Sequence, residues 1–453
     1  MPQAQDSKTR LKQWLETGEV RLQPLTLTQR ELWEAPPVPV GDPANHICAY
    51  IHVKGALTPK NCEAALQKVV DRQEVFRLSF LPGKEKPMQM IRKTGKLMLA
   101  FRDLPSEEEQ PGALEEYAEA VFSKPFDMVS GPLYRAEMLR RADDDHVLVF
   151  AIHHAIADGW TLGVFVQDLF SAYVQVLRGV QTPLPPVPQP YSEWGAAERA
   201  FWQPAELEPR LSFWKSKLKD LTPLWKTPVG LGPTTGQRKR WVSHIPADLG
   251  RGVRELARRH GATLFSTMLA TFQVALSKWT GVDDIIVGTP VANRNKQAVR
   301  ETMGYCAGIV PLRGQINRTH TFAERLRTVH EATVESFANA VPFAELVKAL
   351  GVSPPEGNNP IFQVRFALQN HPVPDITVNG ISLQLRMRST GTARFDLACE
   401  ITEMGDALEV VWLFRLDLFA IEDMQKIDRL LLAVLTEVCH SPGILTAVLM
   451  THP

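Results

Sequence analysis

The sequence has few cysteines, and their spacing fits neither a disulfide framework nor a zinc site. There are five, they are scattered, and no two form a Cys-x-x-Cys pair. An odd, dispersed set is typical of buried thiols in a reducing compartment. We therefore expect neither a small disulfide-stabilised secreted domain nor a structural zinc module. The cysteines are Cys48, Cys62, Cys306, Cys399 and Cys439.

Net charge, long apolar runs and cofactor motifs are also missing. The 50 basic and 50 acidic side chains cancel, which gives no support to general binding of nucleic acid or an anionic membrane. No apolar stretch approaches the length of a membrane span, and the polar start of the chain carries no secretion signal. The sequence has no Gly-x-Gly-x-x-Gly, P-loop or metal-ligand cluster. We expect a cytoplasmic protein with no bound cofactor and no metal.

The most informative stretch is residues 151–160, where two adjacent histidines follow an apolar run. Val147–Ile152 is short, β-branched and preceded by an acidic turn, which predicts a buried strand. The turn also predicts a hairpin between this strand and the preceding one, residues 134–139. Residues 160–177 form an amphipathic segment that ends before Arg178-Gly179, which predicts a helix. The histidines are therefore expected at a strand-to-helix junction, where a side chain can face a cleft while its backbone is held rigidly.

Two interpretations compete for these histidines. In the simpler one, His153 and His154 are satisfied core or rim residues. The spacing favours a catalytic one: His154 is followed four residues later by Asp158 and Gly159. This order suits a base, a buried anion that fixes the loop and a glycine whose backbone can approach a reacting group. A metal site is disfavoured because adjacent residues on a strand point to opposite faces.

Residues 153–159 resemble the His-His-x-x-x-Asp-Gly signature of nonribosomal peptide synthetase condensation domains and their chloramphenicol-acetyltransferase-like relatives. Further matching stretches follow in the order of that family, at residues 24–33, 71–80, 288–294 and 359–364. Three positions differ from the family's pattern: Glu31, Gln73 and Ser79 stand where Arg, His and Thr are usual. We expect the first stretch to be structural, with Leu32 and Trp33 packed into the core.

The resemblance implies an α+β fold of two chloramphenicol-acetyltransferase-like lobes, arranged as a V-shaped pseudo-dimer with a central tunnel. The expected N-terminal lobe covers residues 1–180 and carries the histidine loop. Residues 181–190 contain five prolines, so residues 181–203 are expected to be a stiff linker and a connecting helix. Residues 204–453 then form the C-terminal lobe, with its floor-loop and crossover segments.

The resemblance also implies the reaction and the partners. A donor carrier protein presents an acyl thioester on its phosphopantetheine arm, and the amine of an aminoacyl carrier or a free amine attacks it to give an amide. His154 either removes the proton of the amine or aims the amine, and these two roles stay open. The backbone N–H near Gly159 stabilises the developing oxyanion. His153 is expected to be structural and turned away from the cleft.

Three arginines are expected to support the site. In the family the arginine at position 294 pairs with the aspartate of the histidine motif, so Asp158 and Arg294 are expected to form a partly buried ion pair that closes one lobe against the other. The family also places Arg72 and Arg77 beneath the histidine loop, where they hold it through polar contacts.

The predictions of the tunnel lining and of the domain subtype depend on fewer residues. Trp160, Ser389, Ala307 and Gly308 are the candidates for lining the tunnel. Residues 307–309 are smaller and more apolar than the Phe-Val-Asn-Thr usual in the family's chain-elongating members, and residues 341–343 lack flanking acids. These departures favour a starter-type domain that loads a fatty acyl chain onto the first amino acid of a lipopeptide.

Two other functions are compatible with the sequence. One is a free-standing O-acyltransferase that forms an ester on a hydroxyl group. Another is a non-catalytic module that docks carrier proteins, although the intact His154, Asp158 and Gly159 argue against it. The sequence carries no adenylation or carrier segment, so we expect a free-standing protein or a domain of a synthetase with an adenylation domain as its neighbour.

Overall fold

The computed structural model describes residues 11–34, 45–81, 87–105, 108–225, 238–352, 359–369, 376–378, 380–388 and 395–451. The chain divides into two compact units, each built from three segments. The first unit contains residues 1–202, 292–307 and 371–390, and the second contains residues 203–291, 308–370 and 391–453. The domain limits expected at residues 180 and 203 remain predictions.

Strands and helices are mixed along the whole chain. The strands are β1 (Val20–Pro24), β2 (His46–Lys54), β3 (Leu78–Leu81), β4 (Met88–Arg92), β5 (Leu99–Asp103), β6 (Tyr134–Ala142), β7 (Asp145–His153), β8 (Arg238–Ile245), β9 (Asp284–Val291), β10 (Gly308–Gln315), β11 (Val364–Gln369), β12 (Ile376–Val378), β13 (Ile381–Arg388), β14 (Leu397–Met404) and β15 (Ala407–Arg415). The helices are α1 (residues 11–16), α2 (Leu27–Glu34), α3 (Pro59–Arg72), α4 (Ala113–Ser123), α5 (Gly159–Leu177), α6 (Tyr191–Phe201), α7 (Pro204–Lys217), α8 (Ala247–Arg259), α9 (Leu264–Thr280), α10 (Phe322–Ala338), α11 (Phe343–Leu350), α12 (Ile421–His440) and α13 (Thr446–Thr451).

The first unit is built on a six-stranded sheet in the order β12-β13-β2-β7-β6-β5. Strands β6 and β7 form the predicted hairpin, and β2 pairs with the other edge of β7 along its full length. Only the β5–β6 pair of this sheet is parallel. The strand that ends in the histidines is therefore interior, with a partner on each side. A smaller sheet in the order β1-β4-β3 belongs to the same unit.

Alternating side chains of β7 pack into two separate apolar layers. Leu148, Phe150 and Ile152 belong to the larger core on one face of the sheet, while Val147 and Val149 pack on the other face with residues of α4. The ring of Phe150 stacks on Phe165 of α5 at a centroid distance of 4.1 Å. Because both faces of β7 are buried, its end is a rigid platform for the histidines.

The second unit has its own six-stranded mixed sheet, in the order β10-β9-β11-β14-β15-β8. Local signals in the sequence explain several of its elements. Thr263 caps α9 by accepting a hydrogen bond from the Ser266 N–H, and Gly281 ends that helix in the left-handed conformation. Together the two units confirm the predicted α+β class. In the part of the chain that the structure describes, no helix is both long and apolar enough to span a membrane.

Candidate active site

The histidine loop connects β7 to α5 through a single turn of 3-10 helix over residues 154–156. Asp158 is the N-cap of α5, and its carboxylate accepts the N–H of Thr161 at 3.1 Å. In return the Thr161 hydroxyl accepts the Asp158 N–H, which completes a capping box. The Asp-x-x-Thr spacing thus fixes both where the helix begins and how the loop enters it.

The two histidines have different surroundings. His153 is buried, and its Nδ1 accepts the N–H of Ala155 at 3.1 Å. Its ring lies 5.9 Å from His46 and 6.0 Å from Phe126. His154 is only partly buried, although its Nδ1 atom is inside the protein. His154 is therefore the more exposed of the two histidines in this loop.

Asp158 is the centre of a buried hydrogen-bond network. Arg294 donates to its carboxylate at 2.7 and 3.1 Å, and the backbone N–H groups of Cys306 and Ala307 each donate at 3.0 Å. Burial alone raises the pKa of Asp158, but the charge and hydrogen bonds of Arg294 outweigh it, so the pKa lies below its usual value. The carboxylate therefore stays ionised and is fully occupied in binding its neighbours.

The expectation for this ion pair needs two corrections. The Asp158 and Arg294 side chains are only 2% and 1% exposed, so the pair is fully buried instead of partly buried. Both residues also belong to the first compact unit, because residues 292–307 fold with it. The pair therefore joins two distant segments of one unit instead of closing one lobe against another.

The segment 292–307 is attached to the start of α5 by further hydrogen bonds. The carbonyl oxygen of Gly304 accepts from the Thr161 hydroxyl at 3.1 Å and from Arg294 at 3.0 Å. The indole N–H of Trp160 donates to the carbonyl of Arg300 at 2.9 Å. Trp160 was expected to line a tunnel, and the structure shows that its N–H binds this segment.

Arg72 and Arg77 do not support the loop in the expected way. Arg72 pairs with Asp168 of α5 and donates to the carbonyl of Pro185 at 2.7 Å. Arg77 donates to the carbonyls of Arg92 and other residues that close the end of α3 against β4. These hydrogen bonds do not reach residues 153–159. The expected polar contacts to the loop are therefore not made: Arg72 binds α5, Pro185 and Glu301 of the segment 292–307, and Arg77 binds carbonyls of α3 and β4.

Gln29 performs the role expected of those arginines. It is fully buried, and its Nε2 donates to the carbonyl of Ala155 at 2.9 Å. Its Oε1 accepts the N–H of Thr26 at 3.0 Å. The only available signal was its place in the first family-like stretch, which we assigned to core packing. Trp33 of that stretch is in fact 40% exposed, so it is not a core residue.

The remaining candidates fall in different places. Gly159 is the first residue of α5, Ala307 is half-buried beside Asp158, and Gly308 begins β10. Ser389 lies outside the described residues. Cys306 is buried, and burial raises the pKa of its thiol well above the ordinary value, so it stays protonated. Within the described ranges, no group of three or more His, Cys, Asp or Glu side chains is arranged to hold a metal ion.

Two α+β units, one of them ending an interior strand in a His-His-x-x-x-Asp-Gly loop, define a protein of the chloramphenicol-acetyltransferase-like class. The family model described as "Condensation domain" matches residues 20–446. The chain belongs to the condensation-domain family.

Known relatives agree with this assignment. The chain is 31% identical to a linear gramicidin synthase polypeptide of Brevibacillus parabrevis over 428 residues, which cover 90% of the chain and 8% of that protein. It is 30% identical to phosphinothricin tripeptide synthetase PhsC of Streptomyces viridochromogenes, covering 93% of the chain and 39% of that protein. The condensation domain of the monacolin K polyketide synthase MokA has the same fold, with a TM-score of 0.82, 20% identity, and coverage of 94% and 99% of the two chains. The chain thus spans well under half the length of the two peptide synthetases.

Proposed function

We propose that this chain transfers an acyl group from a carrier-bound thioester to an amine, with His154 as the residue that handles the amine proton. The observation that carries the proposal is the contrast within the loop. His154 is partly exposed, while His153, Asp158 and Arg294 are buried. Since Nδ1 of His154 is inside the protein, Nε2 is the ring nitrogen proposed to accept a hydrogen bond from a substrate.

The proposed step balances without a further reagent. The amine nitrogen attacks the thioester carbonyl carbon, the C–N bond forms, and the C–S bond breaks. The amine loses one proton, and the departing sulfur gains one and leaves as a thiol. Nε2 of His154 either carries that proton or aims the amine at the thioester. Gly159 begins α5, so its N–H lies at the positive end of a 19-residue helix and is the proposed donor to the oxyanion.

Carrier proteins are the proposed partners on both the donor and the acceptor side. Matched relatives are synthetases far longer than this chain, and an adenylation domain is the proposed neighbour in such a protein. The phosphopantetheine arms of the carriers would bring the two substrates, and the chain itself would supply positioning and proton handling.

The donor is proposed to be a fatty acyl chain. Ala307 donates its backbone N–H to the buried Asp158, and the small residues Ala307 and Gly308, followed by the apolar Ile309, support an alkyl donor. A panel of acyl-carrier thioesters of increasing chain length tests this by mass spectrometry of the carrier-bound products. Preference for medium or long acyl groups is expected, whereas exclusive use of aminoacyl or peptidyl donors would contradict it.

The test of the main proposal is reconstitution with donor and acceptor carriers, comparing the wild type with His154→Ala. Loss of the imidazole is expected to reduce turnover about 100- to 10,000-fold. His260→Ala is the matched control, because His260 is exposed beyond the end of α8, and it is expected to retain wild-type turnover. Unchanged turnover in His154→Ala, or acylation of an alcohol acceptor in preference to the matched amine, would refute the proposal.

A further inference from the structure

Tyr305 contacts the imidazole of His154, although no sequence motif assigned it a role. The two rings lie edge to face, with centroids 4.5 Å apart and planes inclined at 70°. Both side chains are partly buried and both belong to the first compact unit. A histidine ring turns about a broad, roughly two-fold torsion, so a neighbouring ring in this geometry restricts where Nε2 points.

The backbone on both sides of Tyr305 is fixed by hydrogen bonds. The N–H groups of the next two residues, Cys306 and Ala307, both donate to Asp158 at 3.0 Å. The carbonyl oxygen of Tyr305 accepts from the Thr28 hydroxyl at 2.6 Å and from the Tyr191 hydroxyl at 3.0 Å. Two hydrogen bonds therefore hold the Tyr305 carbonyl, and two more hold the two residues that follow it.

The preceding residue adds a steric constraint. A Cβ atom built on Gly304 would lie 2.1 Å from a ring carbon of Tyr191, so only glycine allows the backbone to pass this close. The Gly304 N–H also donates to the Thr161 hydroxyl at 3.2 Å. The path of the chain into Tyr305 is thus set by close packing as well as by hydrogen bonds.

We propose that Tyr305 is a positioning residue for His154, whose ring holds the imidazole so that Nε2 stays directed at the attacking amine. This inference rests on the proposed function of His154. Tyr305 itself takes no proton and touches no reacting atom; it narrows the orientations of the group that does. Loss of the ring releases the imidazole, and misplacing a catalytic group by about 1 Å can cost up to 100-fold in rate.

The experiment compares Tyr305→Phe, which keeps the ring, with Tyr305→Leu, which keeps an apolar side chain without it. Tyr305→Phe is expected to stay within about 2-fold of wild-type kcat. Tyr305→Leu is expected to lose on the order of 10-fold in kcat with little change in KM, because orientation affects the reactive complex more than substrate binding. Phe337→Leu, at an exposed aromatic side chain on α10 of the second unit, is the control and is expected to keep full activity.

A spectroscopic readout separates positioning from general damage to the fold. In protein labelled with 13C at the histidine Cε1 atoms, the His154 signal is assigned as the one missing from His154→Ala. This signal is expected to move in Tyr305→Leu, where the ring current of Tyr305 is lost, and to stay nearly unchanged in Tyr305→Phe. If Tyr305→Leu does not fold, Tyr305→Met replaces it in both measurements.

The outcomes for the two proposals are distinct. If the variant without the ring keeps wild-type kcat, or if its His154 signal does not move, the positioning role is refuted, and His154→Ala still decides the proposed reaction. An equal loss of kcat in Tyr305→Phe and Tyr305→Leu would also refute it, because the ring would then not be the cause. If His154→Ala keeps full turnover, both the proposed function and a kinetic role for Tyr305 are refuted.

Discussion

Replacing Asp158 by alanine is expected to destabilise the first compact unit strongly. The change removes the partner of Arg294, whose side chain is 1% exposed, and leaves a positive charge buried. It also takes the acceptor from two backbone N–H groups, those of Cys306 and Ala307. Breaking a buried ion pair by removing one partner costs about 3–5 kcal/mol. That is a large fraction of the roughly 5–15 kcal/mol that holds a domain folded.

The measurement is chemical denaturation, fitted with two transitions because the chain has two compact units. The loss is expected in the transition of the first unit, which contains both Asp158 and Arg294. Arg140→Ala is the control, since its pair with Asp103 is exposed, at 55% and 76%, and exposed pairs add little. The double variant Asp158→Ala/Arg294→Met is expected to recover part of the loss, because the buried charge is gone.

The pH dependence of this effect has a definite sign. The pKa of Asp158 is held below its usual value in the folded protein, since Arg294 and the hydrogen bonds outweigh burial. Its contribution is therefore present above the pKa of the unfolded carboxyl group and is lost as the pH falls through the folded pKa. The stability difference between wild type and Asp158→Ala should shrink only in strong acid. A loss below about 1 kcal/mol at neutral pH would refute the account of a buried, essential anion.

Two further predictions concern the surroundings of the loop. Burial raises the pKa of Glu198 to about 7, so wild-type stability should fall as the pH rises through that value. Glu198→Gln, which can still accept the Leu27 N–H, should flatten this dependence of Tm between about pH 5 and 8. An unchanged pH slope would contradict the assignment of this dependence to Glu198. Gln29→Leu leaves the buried carbonyl of Ala155 without the donor at 2.9 Å, which is expected to cost about 1–3 kcal/mol in denaturation and to lower kcat. Gln67→Leu, whose amide donates to Asp71 at the surface of α3, should do neither.

Local signals in the sequence predicted much of the fold. Thr58 and Thr263 precede α3 and α9, and both threonine side chains make the capping hydrogen bonds that this residue type favours at a helix start. The apolar run before the histidines predicted β7, and the acidic turn predicted its hairpin with β6. These elements were predictable because the forces that define them act between residues close in the chain.

The contacts that shape the candidate site are of another kind. Gln29 and Ala155 are 126 positions apart, and Arg294 and Asp158 are 136 apart. Periodicity carries no information about such pairs, so the ion pair was anticipated only from the family resemblance, and Gln29 and Tyr305 were missed. The same limit explains the error for Arg72 and Arg77, since a charged side chain at a helix end has several nearby carbonyls and carboxylates that it can bind.

Asp158 and His154 have different tasks in the loop: Asp158 holds the structure together, and His154 is the residue proposed to handle the amine proton. Asp158 accepts hydrogen bonds from Arg294, Thr161, Cys306 and Ala307, so its charge is already used and it is a poor proton acceptor. Two of these bonds come from Cys306 and Ala307, the residues that follow Tyr305, so the proposed route from Asp158 to the reaction is the placement of Tyr305 beside His154. If His154 handles the amine proton as proposed, the folded fraction of an Asp158 variant should show a lower kcat with an unchanged shape of its pH–rate profile. A profile that changes shape would mean that Asp158 itself exchanges a proton during turnover.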